Sequence, residues 1–292
     1  MTKQSNQSVQ DWLNDLTIDH SPETITTYEW HIKHLMKAYP DRELKGLQRE
    51  ELVQYLADWK RKGVGDSLLK IALNAFRSFY KFTRGNRSPA KTIPVPRPKK
   101  RLQRTLTGKQ ALDLLETCDD GTPRGARNVA MVALMLDSGL RASEVCRLRI
   151  DRLSLEELKF QVIVKGGDEM KGVFSVETAN LLSKWLAYRE KYAKTNTVFV
   201  GFEGHRVGES LTVYGLRTIF RKLGQAAGLM RLSPHDLRRT FATLAHQMGA
   251  PTRMVQIAGR WNDILQVEQY TRALRPEDFA PYAPVSRLMN GK

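Results

Sequence analysis

In the N-terminal part of the chain, apolar positions fall at helical spacing. Ile25, Tyr28, Ile32, Leu35 and Met36 share one face of ETITTYEWHIKHLMKAY, and REELVQYLADWKRKG and SLLKIALNAFRSFYKFT repeat the pattern. Boundary signals agree: Ser21 and Pro22 precede the first run, Pro40 follows it, and Gly63 and Gly65 separate the second from the third. With a shorter helix across VQDWLNDL, the pattern predicts a bundle of about four helices in residues 1–86. The remaining faces carry Lys33, Lys37, Lys60, Arg61, Lys62, Lys70 and Arg77, which suits a grip on a polyanion. His31 and His34, three apart with no carboxylate in register, read as part of a solvated face rather than as a metal site.

The periodicity stops at residues 84–104, RGNRSPAKTIPVPRPKKRLQR, where four prolines and eight basic residues occur without one acid. Proline fixes φ and removes a donor, so neither a long helix nor a central strand fits. Residues 87–104 are expected to form a basic linker, with Lys99, Lys100, Arg101 and Arg104 as candidates to lie along phosphate. A merely soluble tether is the plain alternative.

Helical patterning resumes in residues 105–292. Thr107 can cap GKQALDLLETC, and Gly139 closes the mostly apolar ARNVAMVALMLDSG. Further helices are expected in VETANLLSKWLAYREKYAK, LTVYGLRTIFRKLGQAAG and SPHDLRRTFATLAHQMG, while KFQVIVKGGDEMKGVFSV reads as two strands about a glycine-containing turn. The expected fold is therefore mainly α with a small antiparallel sheet (α+β), in two domains and without internal repeats.

Composition narrows the class. Apolar residues make up 41% and charged residues 27%, as in an ordinary globular protein. There is no run of about 18 apolar residues and MTKQSNQSVQ opens polar, so a cytoplasmic or nucleoid-associated protein with no membrane span is expected. Cys118 and Cys146 form no CxxC pair, which argues against a disulfide framework or structural zinc. Charge changes the picture most: 47 Lys and Arg against 31 Asp and Glu leave a net +16, a field that attracts nucleic acid first and an anionic membrane surface second.

The candidate chemistry lies in the second half. In SPHDLRRTFATLAHQMG, Ser233 can serve as N-cap with Pro234 at N1 and Asp236 at N3. His235 and Arg238 then share a face of the first turn, beside unpaired N–H groups that favour a phosphate. Arg141 follows Gly139 at the start of another helix, with Glu144 three residues on. It either offers a planar fork of donors to phosphate, its rotamer held by Glu144, or forms only a local ion pair. Lys165 ends the first hairpin strand, with Lys171 as its competitor. Tyr270, in AGRWNDILQVEQYTRA, is packing or a nucleophile as far as that run alone can tell.

Taken in order, SGLRASEV, VKGG, SPHDLRRTFATLAHQMGA and VQIAGRWNDILQVEQYTR resemble the tyrosine recombinase (phage integrase) family, and the likeness spans the whole chain. The layout is similar to that of the compact Xer-type and Cre-type recombinases. It implies an N-terminal helical, SAM-like core-binding domain, a linker and a catalytic domain, forming a C-shaped clamp on DNA. Carried over residue by residue, Arg141 matches the first arginine, Lys165 the hairpin lysine, His235 and Arg238 the central pair, Tyr270 the nucleophile and Glu144 the acidic residue beside the first arginine. The family's remaining position takes histidine or tryptophan. Anchoring on Gly259 selects Arg260, whereas counting 23 residues from Arg238 and nine back from Tyr270 both select Trp261. Two intervals outweigh one neighbour, so Trp261 is taken, and Arg260 becomes a local departure and a DNA-contact candidate.

The resemblance implies phosphoryl transfer with no metal, no ATP and no other cofactor. Arg141 and Arg238 would stabilise charge on the non-bridging oxygens, and His235 would take the phenol proton or bind such an oxygen. Lys165 would protonate the departing 5′ oxygen, and Trp261 would donate its indole N–H to the phosphate and pack the pocket. A 3′-phosphotyrosyl link then supports strand exchange between two duplex sites, in integration, excision or resolution. This needs double-stranded DNA and a homotetramer built on it, with accessory recombination proteins as candidate partners. The tail LRPEDFAPYAPVSRLMNGK offers Phe279, Tyr282, Val285, Leu288 and Met289 for docking into a neighbouring subunit or folding back on its own domain. A type IB topoisomerase shares the Arg/Lys/Tyr logic, but the helical N-terminal domain and the tail favour exchange. A non-catalytic DNA-binding or architectural protein would not need all six chemical positions filled.

Overall fold

The computed structural model describes residues 3–97, 103–163, 167–271 and 285. The fold is mainly α with a small antiparallel sheet, and the chain divides into two compact units, Met1–Arg101 and Leu102–Lys292.

The first unit contains α1 (Lys3–Leu16), α2 (Pro22–Ala38), α3 (Arg49–Arg61) and α4 (Asp66–Arg84). Ser21 accepts the Thr24 amide and Pro22 opens α2, as the sequence signals require. Trp12, Ile32, Leu35, Leu73, Phe76 and Phe79 are fully buried between the helices. The polar tips of large rings are satisfied: Trp12 Nε1 donates to Ser78 Oγ at 3.1 Å and the Tyr80 hydroxyl to the Leu44 carbonyl at 2.7 Å.

Two expectations for this unit fail. His31 does not sit on a solvated face; it is 1% exposed, with its ring 4.8 Å from that of Trp30 and 5.8 Å from that of Trp59. Its spacing from Ile32 and Leu35 puts it on the core side of α2, and among the described residues neither ring nitrogen has a hydrogen-bond partner. Nor is Arg77 a free surface cation. Its guanidinium donates to the carbonyls of Ala90 at 3.3 Å, Lys91 at 3.4 Å and Ile93 at 2.7 Å. Ala90 and Ile93 are buried in the same core, so the first part of the proline-rich segment is held against this unit.

The second unit contains α5 (Gly108–Cys118), α6 (Pro123–Ser138), α7 (Ala142–Arg147), β1 (Leu153–Ser154), β2 (Lys159–Ile163), β3 (Glu169–Val173), α8 (Val176–Arg189), α9 (Val213–Ala226), α10 (Pro234–Gln247), α11 (Thr252–Gly259) and α12 (Leu265–Thr271). The strands pair antiparallel in the order β1-β2-β3, with Gln161 opposite Lys171. At two residues, β1 is too short to show an alternation. Helix α6 is buried nearly all round and packs against α5, α8 and α10, which brings its C-terminal end beside the start of α10. Among the described residues, no helix is long and apolar enough to cross a membrane.

Candidate active site

The site is assembled where helix ends meet within the second unit. At the start of α10, the amide and hydroxyl of Ser233 both donate to Asp236 Oδ2, at 2.9 and 2.8 Å. That cap fixes the first turn, which carries the exposed His235 and, three residues on, the buried Arg238. Arg238 Nη1 donates to the carbonyl of Gly139, the left-handed residue closing α6. Glycine is required there twice over: φ is +60°, and a Cβ would lie 2.5 Å from Phe241 Cδ1. Among the described residues, Arg238 Nη2 is buried without a partner. Burial, and then the Arg141 cation, push the Arg238 pKa down to about 9, while Glu144 and, last, Tyr270 act in the opposite sense. Such a guanidinium gains from an incoming anion.

Arg141 caps α7 and is clamped on two sides. Its Nη1 donates to Glu144 Oε1 at 2.8 Å, and its Nη2 to the backbone carbonyl of Arg260 at 3.1 Å. The Arg141 amide also donates to Glu144 Oε2 at 2.9 Å. Glu144 is 3% exposed. Burial alone would raise its pKa, but Arg260, the Arg141 amide and the Arg141 guanidinium together hold it below the usual range. The ion pair open in the sequence is therefore present, and it orients Arg141 rather than consuming it, since a guanidinium carries five N–H donors.

Tyr270 is 6% exposed and belongs to a small cluster with Phe241, Ala242, Val255, Trp261 and Val267. Trp261 links the cations to the phenol: its ring centre is 3.9 Å from the Arg238 guanidinium carbon and 5.8 Å from the Tyr270 ring centre. It also stacks on Phe241 at 6.2 Å. Its seat depends on Gly259, where a Cβ would lie 1.8 Å from the indole.

His235 is kept on the neutral side. Partial desolvation by the surrounding protein lowers its pKa first, although the ring stays open to solvent, then the cations of Arg239, Arg238 and Arg141, against an opposing effect of Asp236. A neutral imidazole can accept a proton. Arg239 was not singled out from the sequence; its place one turn beyond His235 is the signal that would have found it.

Arg141, Glu144, His235, Arg238, Trp261 and Tyr270 thus share one neighbourhood. Arg260 does not reach outward as expected. It is 1% exposed, and its guanidinium donates to the carbonyls of Ala258 at 2.7 Å and Ser138 at 3.1 Å and to Glu144 Oε2 at 3.3 Å. The αL turn at its own φ of 58° folds it inward, so a DNA-contact role is corrected to an internal one. Arg104 is exposed, with Nη1 donating to the Met230 carbonyl. Lys165, Lys99, Lys100 and Arg101 lie outside the described residues, as do Phe279, Tyr282, Leu288 and Met289; Val285 is described and 65% exposed. Lys171 is exposed on β3.

Comparison with known proteins bears on the family and the fold. A profile of the phage integrase family matches residues 104–276, and one of the phage integrase N-terminal SAM-like domain matches residues 9–85. The tyrosine recombinase XerC of Lactobacillus delbrueckii subsp. bulgaricus is 29% identical over 265 residues, covering 86% of this chain and 88% of that protein. XerD of Listeria monocytogenes serovar 1/2a is 27% identical over 285 residues, covering 92% and 95%. Among solved structures, the XerH recombinase bound to a palindromic difH substrate aligns with a TM-score of 0.72 at 21% identity, covering 91% of this chain and 80% of that one. The Tn1549 transposon integrase in complex with circular intermediate DNA aligns with a TM-score of 0.73 at 17% identity, covering 96% and 99%. The chain belongs to the phage integrase family, the tyrosine recombinases.

Proposed function

We propose that this protein is a site-specific recombinase that cleaves and rejoins duplex DNA through a 3′-phosphotyrosyl bond at Tyr270. The observation that carries the reading is the run from Tyr270 across Trp261 to Arg238, whose Nη2 is buried and unpartnered, with Arg141 clamped nearby. A backbone phosphate supplies the acceptor that the orphan donor lacks.

In the cleavage step the Tyr270 oxygen attacks phosphorus as its proton passes to neutral His235. The bond to the 5′ oxygen of the next nucleotide breaks, and that oxygen leaves protonated, with Lys165 as its donor by family resemblance. Arg141 and Arg238 stabilise the charge growing on the non-bridging oxygens, so no metal or ATP enters the scheme. A 5′ hydroxyl from a second duplex reverses the step and exchanges strands. Two duplex sites and four cleavages call for a homotetramer on DNA. The solved XerH, Tn1549 integrase and lambda integrase complexes with DNA support the nucleic-acid partner, and the chain's net +16 fits it.

The test is covalent trapping on a nicked suicide duplex. Wild-type protein is expected to form a denaturation-resistant adduct, and Tyr270→Phe to form none while retaining salt-sensitive DNA binding. An adduct in the Phe variant would remove Tyr270 from the role.

A further inference from the structure

We infer that Arg260 is a positioning residue for cleavage: buried behind the site, it holds Arg141 with its carbonyl and balances Glu144 with its guanidinium. This rests on the reading that Arg141 engages the scissile phosphate.

The two holds are distinct. The left-handed turn at Arg260 directs its carbonyl oxygen to Arg141 Nη2 at 3.1 Å. Its guanidinium reaches Glu144 Oε2 at 3.3 Å, while Arg141 Nη1 takes Oε1 at 2.8 Å. Carbonyls of Ser138 and Ala258 and the ring of Phe160, 5.4 Å from the guanidinium carbon, fix Arg260 in place.

The electrostatics explain why a second arginine is useful. Glu144 is needed to set the Arg141 rotamer, yet its buried carboxylate opposes the cation that a phosphate requires. One carboxylate between two guanidiniums leaves a net positive charge, whereas the Arg141–Glu144 pair alone would be neutral. In a poorly solvated pocket that difference is felt strongly at the phosphate. Arg260 touches no substrate in this scheme; it acts through Arg141.

The experiment measures single-turnover adduct formation on a nicked duplex selected from random sequence by covalent attachment to the wild-type protein. Arg260→Gly tolerates the αL turn and keeps the carbonyl but removes the guanidinium. Cleavage is expected to slow on the order of 10- to 100-fold, with DNA affinity within about threefold because no phosphate contact is lost. Millimolar guanidinium chloride should restore much of the rate where equal sodium chloride does not, and Arg260→Lys should outperform Arg260→Gln. Wild-type speed in the Gly variant overturns the inference. So does a slow Gly variant that guanidinium leaves unrestored with Lys no better than Gln. Should Arg260→Gly fail to fold, the Lys and Gln pair decides alone: a faster Lys variant supports the inference and equal rates overturn it. Failure of the wild-type protein to form any adduct would instead sink the recombinase reading beneath it.

Discussion

The guanidinium of Arg238 lies over the indole of Trp261, 3.9 Å from the ring centre. A cation held on a π-face at that range is fixed in direction as well as attracted. Under the proposed mechanism Trp261 would serve the site through this face as well as through indole N–H donation to the phosphate, and the two roles separate by substitution. Trp261→Phe keeps an aromatic face and is expected to retain measurable adduct formation, whereas Trp261→Ala loses it and about 3–5 kcal/mol of stability. Trapping kinetics and urea denaturation check both. A Phe variant as inactive as the Ala variant would instead assign the N–H the dominant part.

The seat of that indole predicts a sign reversal at Gly259, the last residue of α11. Replacing a helical glycine by alanine usually stabilises by about 0.5–1 kcal/mol. Here the added Cβ would lie 1.8 Å from the ring of Trp261, which is stacked on Phe241 and cannot simply retreat. Gly259→Ala should cost about 1–3 kcal/mol and slow cleavage by displacing the ring from Arg238. A variant at least as stable as wild type, measured by urea midpoint, would contradict this.

Under the proposed mechanism, the pH dependence of cleavage follows from His235. Partial desolvation, then the cations of Arg239, Arg238 and Arg141, lower its pKa from 6.5, so the neutral ring persists into mildly acidic solution. The adduct-forming rate should level off by neutral pH and fall as pH drops through that depressed value. Arg239→Leu removes the largest of the three cationic effects and should move the midpoint upward. A midpoint unmoved by that substitution would detach the inflection from His235.

Much of this was legible because local rules govern it. Ser21, Thr107, Ser233 and Gly139 mark helix ends in the sequence and do so in the structure. The spacing of Arg238, Trp261 and Tyr270 favours the tryptophan, and the structure puts its ring in contact with both Arg238 and Tyr270. What stayed hidden depends on distant partners. Arg260 reads as a surface cation because its acceptors, Glu144 and the Ser138 carbonyl, are 116 and 122 residues away. Arg77 reads the same way, since no periodicity shows that the proline-rich segment returns its carbonyls to α4. The choice between Lys165 and Lys171 was likewise beyond a strand pattern, which fixes faces but not reach.

His31 reads as a surface residue because its polarity hides its position on the core side of α2, and its burial has a measurable consequence. Burial first, with the neighbouring His34 second, brings its pKa down to about 4 from an ordinary 6.5. The folded state thus prefers the neutral ring, and the unfolded chain binds the proton more readily. This contribution to stability is fully present above pH 6.5 and is lost as pH falls toward 4, with a slope approaching about 1.4 kcal/mol per pH unit. Neither ring nitrogen has a hydrogen bond to lose among the described residues, so His31→Leu removes the proton-binding difference without orphaning a partner. Urea midpoints of the full chain at pH 7 and pH 5 should converge in that variant relative to wild type. Equal pH slopes in the two proteins would show that His31 binds its proton alike in the folded and unfolded chain.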